Sequence, residues 1–195
     1  MAPIRSFIAV DPSAEVAARL AAFVDRLSKE TKGFKWVEAE GIHLTLRFLG
    51  EVDEDVLKSV VERLKIASLE GGPLSLRVHG IGFFPSAQRP RVVWAGLEGD
   101  VDRLISIQDK VEKALEGLEI HQEEKRGFKP HLTLARVKDP RMATGVARIL
   151  QSILELPNDA DFGEFYVKSL VLYKSDLTPM GARYTKLGEF HLGRQ

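Results

Sequence analysis

The chain has 195 residues, with 28 Lys and Arg balanced by 28 Asp and Glu, 44% hydrophobic and 29% charged residues, and no cysteine. Without cysteine, disulfide scaffolds, Cys-type zinc sites, iron–sulfur clusters and thiol nucleophiles are excluded. Zero net charge argues against coating nucleic acid by bulk electrostatics, and no apolar run approaches the ~20 residues that a membrane span needs.

A strand is predicted from about Ser6 to Val10, reached without a basic leader, so a cytoplasmic protein is expected. Asp11-Pro12 reads as N-cap and first position of a helix carrying Val16, Leu20, Phe23, Val24 and Leu27 at helical spacing, with Gly33 to end it. Strict alternation from Gly41 to Gly50 places Ile42, Leu44, Leu46 and Phe48 on one face of a strand and His43, Thr45 and Arg47 on the other. Asp53 to Asp55 open a second helix with Val56, Val60, Val61 and Leu64 inward. Strands from Leu74 to Phe83 and Arg91 to Gly96 flank a proline turn. A helix from about Val101 to Leu115 then begins a second series, followed by a strand starting at Pro130-His-Leu-Thr-Leu. A helix near Thr144 to Leu154 and strands near Glu164 to Lys174 and Tyr184 to His191 complete it. The expected fold class is α+β: an internal duplication within one domain, 1–195, with halves 1–99 and 100–195. These form two lobes related by a pseudo-twofold, each with an antiparallel sheet, and a cleft between.

His-Leu-Thr-Leu occurs twice, at His43 and at His131, each time on a predicted strand that precedes a helix. Residues i and i+2 of a strand face the same way, so His43 stands beside Thr45 and His131 beside Thr133. Two imidazoles and two hydroxyls facing each other across a cleft suit displacement at phosphorus. One ring takes a proton from the nucleophile, the other gives one to the leaving oxygen, and the hydroxyls bond the non-bridging oxygens. Zinc usually needs at least three protein ligands, and each motif offers one His beside Thr rather than a carboxylate, so metal-free chemistry without a cofactor is expected.

The paired His-x-Thr-x motifs, Phe128-Lys-Pro-His-Leu-Thr-Leu-Ala-Arg-Val137 and the stretch Leu172-Tyr-Lys-Ser-Asp-Leu-Thr-Pro179 resemble the 2H phosphoesterase superfamily. Within it, the likeness is to the RNA 2′,3′-cyclic phosphodiesterases, also called 2′-5′ RNA ligases, over essentially the whole chain. The resemblance implies a bilobal fold, both motifs in one cleft, and opening of an RNA 2′,3′-cyclic phosphate end to a 2′-phosphate. It implies His43 as proton donor, His131 as acceptor, and Thr45 and Thr133 as phosphate ligands. Arg136 matches an arginine that the family holds near the phosphate, although strand parity sets it opposite His131 unless a bulge intervenes.

Lys125, Arg126, Lys129, Arg136, Lys138 and Arg141 surround the second motif and are a candidate patch for an RNA end. Phe48, five residues after His43, could stack on a base, whereas parity makes it core. Trp36 and Trp94 read as core, Trp36 at the pocket border. Arg89 and Arg91 read as surface, and His79, His121 and His191 as structural or exposed. RNA with a cyclic phosphate end is the expected partner, and a monomer is expected because both motifs lie in one chain. Two alternatives are a phosphodiesterase for a small cyclic phosphate such as ADP-ribose 1″,2″-cyclic phosphate and a non-catalytic module that binds RNA ends. A bell-shaped rate profile near neutral pH follows from the two imidazole roles.

Overall fold

The computed structural model describes residues 3–121, 127–138, 149, 160–178 and 181–193. The strands are β1 (Ile4–Val10), β2 (Phe34–Trp36), β3 (Leu44–Val52), β4 (Leu74–Phe84), β5 (Val92–Gly99), β6 (Leu132–Val137), β7 (Asp161–Val167), β8 (Ser169–Leu177) and β9 (Ala182–His191). The helices are α1 (Ala14–Glu30), α2 (Glu54–Leu69) and α3 (Val101–Leu115). The helix expected near 144–154 lies outside the described residues apart from Ile149, which is helical and buried.

All strand pairings are antiparallel, in the order β7-β4-β5-β6-β3-β1-β8-β9, with β2 on the free edge of β6. That order is symmetric about the β6–β3 joint. β7 corresponds to β9, β4 to β8, β5 to β1 and β6 to β3. Each group of four takes strands from both 1–99 and 100–195: β1 and β3 pair onward to β8 and β9, and β6 pairs onward to β5, β4 and β7. A single apolar cluster joins Leu20, Leu27, Leu64, Leu104 and Val111 of the helices to Leu44, Leu49, Leu132 and Leu134 of the two central strands. The opposite face of those strands is left for polar groups.

The strand expected near Glu164 to Lys174 is two, β7 and β8, separated at Lys168, and three further local details differ from the sequence reading. Helix α1 is capped by Ser13, whose Oγ accepts from the Val16 amide at 3.3 Å, so Asp11 is free for another partner. The alternation in β3 breaks after Leu46: Ile8 pairs with Arg47 but Ala9 pairs with Thr45, the signature of a bulge. Beyond it parity inverts, so Arg47 is 5% exposed while Phe48 is 38% exposed. The third difference is β2, three residues too short to announce itself by periodicity.

Candidate active site

Strands β3 and β6 meet through one pair, Leu44 with Leu132. Both leucines are fully buried, which turns their chain neighbours to the other face. The antiparallel register sets His43 across from Thr133 and His131 across from Thr45. All four predicted motif residues are thus on one face, two strands wide, because the same four-residue pattern ends up on both sides of the joint.

Strand β6 repeats the bulge of β3 at the matching place. Val93 pairs with Ala135 but Trp94 pairs with Thr133, so Leu134 has no partner in β5, as Leu46 has none in β1. The inverted parity beyond the bulge brings Arg136 to the motif face, as it brings Phe48, and both line the same cavity. Arg136 is close enough to both rings for its charge to favour their neutral forms. Arg47, sent inward by the same inversion, donates from Nη2 to the His121 carbonyl at 2.8 Å and lies 3.4 Å from Glu112 Oε1.

The two rings have different surroundings. His43 stacks on Phe7 at 4.6 Å between centroids and meets Tyr184 edge-on at 5.1 Å. Phe7 in turn stacks on Tyr173, whose hydroxyl donates to Asp11 Oδ2 at 2.7 Å. Burial pulls the His43 pKa down to about 4 and Arg136 acts in the same sense, against Asp11 and a backbone hydrogen bond at Gly41. His131 is also lowered, by burial and then Arg136, against its bond to Lys129. Its Nδ1 lies 2.6 Å from the Lys129 carbonyl oxygen. A carbonyl only accepts, so Nδ1 carries the hydrogen and Nε2 keeps a free lone pair. Phe84 sits edge-on to the His131 ring at 5.1 Å, and Trp94 at 6.4 Å. Burial and then the Asp11 bond hold the Tyr173 hydroxyl well above the ordinary tyrosine range.

A cavity of about 1340 Å³ opens on this face. His43, Thr45, Thr133, Arg136, Phe48 and Trp36 line it, and His131, with Phe84 and Trp94 packed against its ring, is not among the lining residues. Sequence reasoning missed Phe7 and Tyr184, and also the cations Arg5, Lys35 and Arg183, which line the cavity from β1, β2 and β9. Their signal in the sequence is at most proximity to a motif strand. His121, read as structural or exposed, lines the cavity and packs on Gly50, where a Cβ would come 2.7 Å from that of His121. Arg89 and Arg91 are exposed and take no part in the lining. Of the basic stretch, Lys129, Arg136 and Lys138 are described; Lys125, Arg126 and Arg141 lie outside the described residues. Among the described residues, no group of three or more His, Asp or Glu side chains could hold a metal ion, and no helix is long and apolar enough to cross a membrane.

Comparison with known proteins converges on one family. The family described as LigT like Phosphoesterase matches residues 10–94 and 97–184. An RNA 2′,3′-cyclic phosphodiesterase of Methanocaldococcus jannaschii is 35% identical over 187 residues, 96% of this chain and 100% of that protein. One from Aeropyrum pernix is 37% identical over 89% of this chain and 95% of that protein. The crystal structure of E. coli LigT complexed with 3′-AMP superposes with a TM-score of 0.76 at 25% identity, covering 97% of this chain and 98% of that one. TT0787 of Thermus thermophilus gives 0.70 at 30% identity, covering 98% and 99%.

Proposed function

The chain belongs to the LigT-like phosphoesterase family, and on that premise we propose that it opens the 2′,3′-cyclic phosphate ends of RNA to 2′-phosphate ends without a metal. The observation that carries this reading is the juxtaposition of two His-x-Thr pairs across Leu44 and Leu132. Water attacks phosphorus opposite the 3′-oxygen and gives a proton to Nε2 of His131. The new P–O bond forms as the bond to O3′ breaks, and His43 protonates the departing O3′ from the ring nitrogen not bonded at Gly41. Each proton transfer is worth ~10²–10⁴ in rate. Thr45 and Thr133 donate to the non-bridging oxygens, and Arg136 offsets the charge that builds there.

Burial disfavours the imidazolium form of both rings in the free protein. A phosphodiester anion seated between them favours the protonated form of each, so the substrate itself supplies the field that loads the acid. With the 5′-hydroxyl of a second strand in place of water, the same acid and base join ends through a 2′,5′ linkage. We read residues 1–195 as one catalytic unit, because each half supplies one motif.

An RNA end accounts for the cavity better than a small cyclic phosphate does. Sites for small ligands run to ~300–1,000 Å³, and this cavity is larger, with Arg5, Lys35, Arg136 and Arg183 on its walls and Phe48, Trp36 and Tyr184 as stacking surfaces. The test is hydrolysis of an oligoribonucleotide ending in a 2′,3′-cyclic phosphate, in EDTA, with the product end identified. A 2′-phosphate is expected. No turnover, or turnover that EDTA abolishes, overturns the reading.

A further inference from the structure

The near symmetry of the two motifs leaves open what makes one histidine the acid and the other the base. The strand register supplies an answer. Val10, the last residue of β1, pairs with Leu44, so continuing that register sets the next residue, Asp11, across from His43. At the matching place in the other group of strands, Ala95 pairs with Leu132, so the residue across from His131 is Gly96. No side chain fits there, because a Cβ on Gly96 would come 2.6 Å from the His79 carbonyl oxygen. Asp11 is held in place by the Tyr173 hydroxyl at 2.7 Å, and Tyr173, Phe7 and His43 form a stacked series beside it. It is not among the residues that line the cavity.

We propose that Asp11 is the positioning residue that breaks the symmetry of the site, biasing His43 over His131 toward carrying the proton once the substrate anion is bound, while His131, with Gly96 opposite, remains the base; this rests on the cyclic phosphodiesterase reading above. The titratable groups beside His43 are Asp11 just after β1, Arg136 from β6, Tyr173 from β8 and Tyr184 from β9. Of these, Asp11 alone is a carboxylate, and the position across from His131 is Gly96, which has no side chain.

The sign of the effect sets the test. On the alkaline side of the rate profile kcat/KM follows the fraction of His43 that is protonated, and on the acid side the fraction of His131 that is neutral. Removing the Asp11 charge makes His43 easier to deprotonate and leaves His131 as it was. Asp11→Asn is therefore expected to lower kcat/KM about three- to tenfold on the alkaline limb, the size of a nearby charge effect, with the acid limb unchanged. Asp11→Glu, which keeps the charge, is expected to retain most of the alkaline limb. NMR titration of the ring protons in the free protein gives an activity-independent readout: the His43 midpoint falls in Asp11→Asn and the His131 midpoint does not. Equal losses on both limbs, an equal loss in Asp11→Glu, or an unmoved His43 midpoint overturns the proposal. A native chain inert on cyclic phosphate ends sinks the functional reading instead, and the titration still decides whether Asp11 acts on His43.

Discussion

Each of the two histidines proposed for catalysis is bound to a backbone group two residues before it, His43 at Gly41 and His131 at Lys129. Such a bond fixes the ring plane and commits one nitrogen, leaving the other for the reaction. Burial then sets the pH dependence. Because the rings of the free protein are pushed below the ordinary imidazole value, that of His43 to about 4, the profile of kcat/KM is expected to peak on the acid side of 6.5 rather than near neutrality. The profile of kcat, which reports the complex, shifts upward because the bound anion favours both protonated forms. Steady-state rates from pH 4 to 9 check this, and coincident profiles would contradict it. Arg136 belongs to the same scale. Arg136→Ala is expected to lower kcat/KM at least tenfold, as loss of a charged hydrogen bond of ~1.5–3 kcal/mol would. Arg136→Lys restores only part, because an ammonium cannot reproduce the planar fork of guanidinium.

The paired bulges at Leu46 and Leu134 decide which residues reach the cavity. Beyond the bulge, β3 sends Phe48 into the cavity and Arg47 toward the core, and β6 sends Arg136 into the cavity and Ala135 inward. With Phe48 as a stacking surface, Phe48→Ala is expected to raise KM for an oligoribonucleotide roughly 5- to 100-fold, the worth of one base–aromatic stack, with a smaller effect on kcat. An unchanged KM would remove Phe48 from the binding surface. Arg47 anchors the segment at His121, so Arg47→Ala is expected to cost about 1.5–3 kcal/mol of stability in urea unfolding. The motif strands were legible because apolar and polar residues alternate through His43, Leu44 and Thr45 and again through His131, Leu132 and Thr133. The bulges were not legible, since the extra residue in each is an ordinary leucine and only pairing with β1 and β5 reveals it. Asp11 was misread for a similar reason. Before Pro12 it has the chemistry of an N-cap, and only β8, more than 150 residues later, supplies the tyrosine that takes it instead.

The order of elements suggested a duplication, with which the symmetric strand order is consistent, whereas the partners of each strand were not legible. The symmetric order places β4 and β5 of residues 1–99 against β6 and β7, and β8 and β9 of residues 100–195 against β1 and β3. Neither half can complete its sheet alone. Fragments 1–99 and 100–195 are each expected to lack cooperative thermal unfolding by circular dichroism and to recover it on mixing; a fragment that folds alone would contradict the pairing. The same arrangement brings His43 and His131 together, since each lies one residue before the single pair that joins the two groups of strands. Their opposite roles are the centre of the account, and the most direct test replaces the bridging 3′-oxygen of the cyclic phosphate with sulfur. A thiolate departs without a proton, so it makes the general acid dispensable and leaves the need for a base untouched. With this substrate His43→Ala should regain most of the native rate while His131→Ala remains as impaired as on the oxygen substrate; equal impairment of both variants on both substrates, or rescue of His131→Ala instead, would contradict the assignment.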